Sequence, residues 1–370
     1  MHSRIARRAS LLLAPILILA VLSGLNLPSQ AGDKGGKDRP EGKWTAISMT
    51  EFGKKTEEGV QALVLDFKGD EVTLSVLGKS QQGSFKADPS KSPKQFEMQM
   101  AGKELFRGIY KIEKDILTLC FVGGEAERPA KFESSGDYRT MLLVLKRGEV
   151  KLDPAQAKAL ADKIQLAAQR TTSLNNLRQI AIAMHNHHDT YKRFPTHAIY
   201  SKDGKPLLSW RVAILPFLDE NALYRQFKLD EPWDSAHNKK LLEKMPKIYA
   251  PVRAKTKEPH MTFYQVFTGA GAAFEGDKGL VFPRDFPDGI SNTLLVVEAG
   301  EAVPWTKPAD LHYRTDKDLP PLGGHFKEGF WIALGDGSVR WIPRGFDVPT
   351  FRLLITRNDG KDIDWQKLER

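Results

Sequence analysis

The sequence holds one cysteine, Cys120, among 370 residues, so no disulfide can close within the chain and its stability must come from packing. It lacks an apolar run of the roughly twenty residues that a membrane-spanning helix needs. Lys and Arg number 55 against 46 Asp and Glu, yet they form no dense run, which argues against nucleic-acid binding because phosphate recognition wants a clustered basic surface. There is no Gly-x-Ser-x-Gly elbow, no P-loop, no dinucleotide fingerprint and no His-Glu-x-x-His pair. Hydrolases of the elbow type, nucleotide-phosphate enzymes and zinc proteases thus lose their usual signatures, and no cofactor is expected. What remains is globular: 41% of residues are hydrophobic and 27% charged, which excludes wholesale disorder.

The N-terminus has a three-part layout. Arg4, Arg7 and Arg8 precede the apolar run Leu11 to Leu22, which contains Pro15, and small residues lead to Ala31. Residues 1–31 therefore read as a secretory signal cleaved after Ala31, the alternative being an uncleaved N-terminal anchor. The formal charge of +9 falls to about +6 without these three arginines. Residues 32–42, polar and rich in Gly and charge, read as a linker. An exported location follows: periplasmic, cell-surface or secreted.

From residue 43 to 147 the period changes to two. In "ALVLDFKGDEVTLSVLG", Leu63, Leu65 and Phe67 alternate, Lys68 to Glu71 turn, and Val72, Leu74 and Val76 alternate again. "KQFEMQM", "FRGIYKIEKDILTLCFV" and "RTMLLVLKR" behave alike, which predicts a sandwich or closed barrel. Cys120 sits in such a run and reads as a core residue. Trp44 opens the module and Arg147 closes it, so in an up-and-down barrel Arg147 is expected to stack over a plugging Trp44. Through "GKWTAIS", "GSFKADPSKSPKQFEM", "RGIYKIEKDILTLCF", "RPAKFES" and "MLLVLKR" the module resembles the lipocalin-like domain family expanded in planctomycetes. That resemblance implies a calycin-like barrel, its interior either packed or holding one small apolar molecule.

Residues 148–370 form the second predicted domain. "LDPAQAKALADKIQLAAQRTTSLNNLRQIAIAMHNHHDTY" reads as helix, with Asp153 as N-cap and Pro154 at the first helical position. Thr171-Thr172-Ser173 is a weak point expected to divide it, and Phe194-Pro195 ends it. Near its end His185, His188 and Asp189 share a face, with His187 beside them. Two readings stand. His188 continues the apolar stripe of Leu177, Ala181 and Met184, as core histidines do. The same spacing also suits a metal, with His325 as a further ligand, although no third ligand can be placed from sequence.

Strands return in "MTFYQVFTG" and "SNTLLVVEAG", and "GFWIALGDGSVRWIP" reads as a hairpin turning at Asp336-Gly337. Trp210, Trp233, Trp305, Trp331 and Trp341 read mostly as core, the other reading being a surface for glycans or partners. The blocks "SLNNLRQIAIAMHNHHDTYKRFP", "LLSWRVAILPFLDENALYRQFKLDEPWDSAHNKKLL", "DGISNTLLVVEAGEAVPWTKPADL" and "GGHFKEGFWIALGDGSVRWI" resemble the planctomycete pseudopilin-like domain of unknown function. The resemblance implies a type IV pilin-like α+β fold, a long N-terminal helix on an antiparallel sheet. A filament core would have to bury Lys158, Asp162, Lys163 and Arg170, so a scaffold use is expected rather than a filament.

The whole reads as an exported, non-enzymatic binding or scaffold protein of the cell envelope, with a small apolar molecule, an envelope protein or a glycan as partner. The alternative is a metal-dependent hydrolase built on His185, His188 and Asp189.

Overall fold

The structure, a computed structural model, describes residues 38–369 except 52, 58, 77–78, 101–104, 125, 135–139 and 149–153. The expected signal, most of the linker and the Asp153 cap lie outside the described residues. Two compact units meet in sequence at Ala168 and Gln169.

The first unit contains β1 (Gly42–Glu51), β2 (Lys54–Thr56), β3 (Leu63–Lys68), β4 (Glu71–Val76), β5 (Lys79–Asp88), β6 (Lys94–Met100), β7 (Leu105–Glu113), β8 (Ile116–Gly123) and β9 (Met141–Arg147). From β3 each strand pairs antiparallel with the next. β1 closes the ring: Gly42 to Thr45 pair with β3, and Thr45 to Glu51 pair with β9. The result is a closed eight-stranded antiparallel barrel of β1 and β3 to β9, with the short β2 added to the far end of β1. The alternation explains it. Leu65, Phe67, Val72 and Leu74 are buried while their neighbours are less so, and closure gives each of the eight barrel strands a partner on both edges. β8 is buried on both faces. Leu117, Leu119 and Phe121 join the barrel core. Cys120 faces the other way, its thiol against the carbonyls of Lys131 and Glu133.

Helix α1 (Pro154–Tyr191) runs unbroken across the division between the units. The expected break at Thr171-Thr172-Ser173 does not occur. Serine weakens helices by bonding its own backbone, but the Ser173 hydroxyl is buried and bonded to Tyr264 and Glu298. A tertiary partner replaces the competing local one.

The second unit holds the hairpin β10 (Ala198–Tyr200) and β11 (Pro206–Ser209), then β12 (Met261–Gln265), β13 (Phe267–Thr268), β14 (Leu294–Pro304), β15 (Leu311–His312), β16 (Gly329–Leu334) and β17 (Val339–Pro343). Strands β12, β14, β16 and β17 form a four-stranded antiparallel sheet in that order, while β13 and β15 pair in parallel. Leu177, Ile180, Ala181 and Met184 of α1 share one core with Tyr264, Val296 and Ala333 of the sheet. A second core gathers Val297, Ile332 and Ile342 with Phe351 and Leu354 of α2 (Val348–Ile355). The segment after Asp234 includes a 3₁₀ helix from Asn238 to Lys244, with Ser235 Oγ accepting from the Asn238 amide at 3.0 Å. No helix among the described residues is long and apolar enough to cross a membrane.

Candidate functional site

Among the described residues the barrel is sealed at one end and open at the other. At the sealed end Trp44 is fully buried, and its indole N–H donates to the Glu41 carbonyl at 3.1 Å. The Arg147 guanidinium lies 4.1 Å from the Trp44 ring and donates to the same carbonyl at 3.1 Å. Behind Trp44 the aromatics interlock, with ring centroids 4.7 Å apart for Phe67–Phe85 and 5.2 Å for Phe85–Phe96. Tyr110 completes this floor; its hydroxyl donates to the Asp38 carbonyl at 2.8 Å, and burial pushes its ionisation up to about 12.

Above the floor the side chains no longer meet. A hollow of about 200 Å³ opens between Leu65 of β3, Leu74 and Val76 of β4, Met98 of β6, Leu119 and Phe121 of β8, and Met141 and Leu143 of β9. At its mouth lie Val60 and Ala62, in the 3₁₀ turn that leads into β3. Thr56 supplies the only hydroxyl of the lining, and no charged side chain lines the hollow among the described residues. The mouth has a further wall that strand patterning does not contain: Leu160 and Ile164, from the first turns of α1, line the hollow and pack on the barrel core. Gly59 permits this approach. It has φ +82°, and a Cβ there would come 2.9 Å from Leu160 Cδ1. The arrangement can enclose an apolar molecule.

The histidines of α1 are engaged separately in the second unit. His185 Nε2 lies 2.6 Å from the Gly335 carbonyl, and His187 Nδ1 lies 3.0 Å from the Arg193 carbonyl. His188 Nε2 accepts from the Phe282 amide at 3.2 Å, while its Nδ1 lies 3.7 Å from the mostly exposed Asp189 carboxylate. His325 is elsewhere, over Phe263 at 3.9 Å with Nε2 at 3.1 Å from the Ala299 carbonyl. Burial lowers the pKa of both His187 and His325. Among the described residues no three His, Cys, Asp or Glu side chains are placed to hold a metal ion. Asp336 and Gly337 form the β16–β17 turn: Gly337 has φ +79°, and Asp336 Oδ1 accepts from the Ser338 amide at 2.9 Å. Trp210 and Trp305 are buried, whereas Trp233, Trp331 and Trp341 are half-buried.

Two buried polar groups were not singled out from sequence. Arg211 and Asp310 form a fully buried ion pair at 2.9 Å, and Arg211 also donates to the Tyr264 carbonyl. Glu298, in the apolar run "TLLVVEAG", is buried with Oε2 accepting from the Trp331 amide at 2.8 Å and Oε1 accepting from Ser173. Burial pushes its carboxyl up to about 7, against the lowering effect of the Ser173 and Trp331 hydrogen bonds. A carboxylate within an apolar strand was the available signal.

Fold and site together define a closed β-barrel with an apolar hollow, followed in the chain by an α+β unit. Residues 163–319 match the family described as protein of unknown function (DUF1559), a match that begins within α1 and covers less than half of the chain. No curated protein and no solved structure matches.

Proposed function

We propose that this is an exported, non-enzymatic binding protein of the cell envelope that holds a small apolar molecule in its barrel. The hollow carries the proposal. Its lining is apolar, and its volume of about 200 Å³ exceeds the small voids that a close-packed interior leaves. Larger side chains at Leu119 or Leu143 would remove it, and their place is taken by a smooth hydrocarbon wall. In this reading the barrel is lipocalin-like and the second unit pilin-like, acting as a scaffold; the eight-strand closure and the helix on a four-stranded antiparallel sheet support it. Export rests on the layout of residues 1–31.

Native mass spectrometry of the full chain, purified without detergent, tests the binding role. The expected result is a species carrying one small apolar molecule, or one that takes up 1-octanol, with uptake lost in Leu119→Phe. A bare mass and no uptake would overturn it.

A further inference from the structure

We infer that the hollow takes the aliphatic chain of a neutral, medium-length molecule, and that Leu160 and Ile164 set the longest chain it accepts. The inference rests on the binding reading above and adds its ligand class and the residues that determine it.

Four observations lead there. The floor is closed by Trp44 and the Phe67–Phe85–Phe96 contacts, so a chain cannot extend past it. The hollow measures about 200 Å³, and since an apolar cavity of about 150 Å³ holds benzene, it suits about eight carbons. Growth in the remaining direction, toward the mouth, meets Leu160 and Ile164, and Leu160 is pressed onto the rim at Gly59. Among the described residues the lining has no charged side chain to pair with an ionised head, so affinity comes from buried methylenes.

These two residues differ from the rest of the lining. They come from a helix rather than the barrel, and both are partly buried, so they can be changed without opening the strand core. A smaller side chain there lengthens the space along its axis; a larger one shortens it.

The test uses the full chain and the series 1-hexanol, 1-octanol, 1-decanol and 1-dodecanol, titrated calorimetrically. Affinity should rise about fourfold per methylene while the chain is being buried, then level off near octanol to decanol. Leu160→Ala and Ile164→Ala should move the plateau to longer alcohols, and Ile164→Phe to shorter ones, with far-UV circular dichroism verifying each fold. Affinity that climbs steadily through dodecanol in the parent, or one plateau shared by all variants, overturns the length limit and leaves the binding role standing. Absence of binding to every alcohol by every folded variant overturns both.

Discussion

Leu160 of α1 rests against Gly59 so closely that any Cβ at position 59 would lie 2.9 Å from its Cδ1. Position 59 is thus constrained twice, by a left-handed backbone and by a side chain from a hundred residues downstream. Gly59→Ala should cost about 1–2 kcal/mol from the φ penalty alone, and more with the Leu160 contact intact. In a Leu160→Ala background the cost should fall toward the backbone part. Urea unfolding of the four proteins checks this; equal costs in both backgrounds would show that the contact is not made.

Arg147 over Trp44 covers the sealed end of the barrel. Because the Arg147 side chain is partly exposed, Arg147→Ala should lower barrel stability by only about 0.5–1 kcal/mol. Trp44→Ala should cost about 3–5 kcal/mol, since Trp44 is fully buried. Hydrogen exchange of barrel amides separates these two sizes of effect.

Glu298 makes the second unit's stability depend on pH. Its carboxyl titrates near 7 when folded, against an ordinary 4.5, because burial disfavours the charged form. The folded state therefore binds more protons between these values, and the contribution is fully present below pH 4.5 and lost as pH rises through 7. The loss should be on the order of 3 kcal/mol, and Glu298→Gln should flatten it. Denaturation followed by tryptophan fluorescence suits the measurement, since all Trp but Trp44 lie beyond Ala168. Stability that rises over this range would refute the assignment.

His185 meets the Gly335 carbonyl, at the start of the β16–β17 turn. His185→Ala should leave that carbonyl without its partner and cost about 1–3 kcal/mol. Elemental analysis of the purified chain should find no stoichiometric metal; zinc that vanishes in this variant would instead favour the hydrolase alternative.

Cys120 should be inert in the folded protein, because burial pushes its thiol up to about 11. A disulfide reagent should modify it only at the rate of unfolding, and rapid modification at neutral pH would contradict this placement.

Much of the fold was legible along the chain. Alternation in "ALVLDFKGDEVTLSVLG" marks β3 and β4 because a strand with one buried face shows period two whatever its partner. Asp336-Gly337 marks its hairpin because only a residue tolerant of positive φ closes so tight a turn. Thr171-Thr172-Ser173 misled because helix propensity is local, and the Ser173 bond to Glu298 is made 125 residues away.

The sequence by itself determined the strand pattern, the helical character of residues 154–191 and the lack of familiar catalytic signatures, since each is set by neighbours a few residues apart. Tertiary structure alone decided that the barrel closes around a hollow, that Leu160 and Ile164 wall its mouth, and that Glu298 is buried against Ser173 and the Trp331 amide. These depend on which distant side chains meet and how completely they exclude water, quantities fixed by three-dimensional packing that no local period encodes.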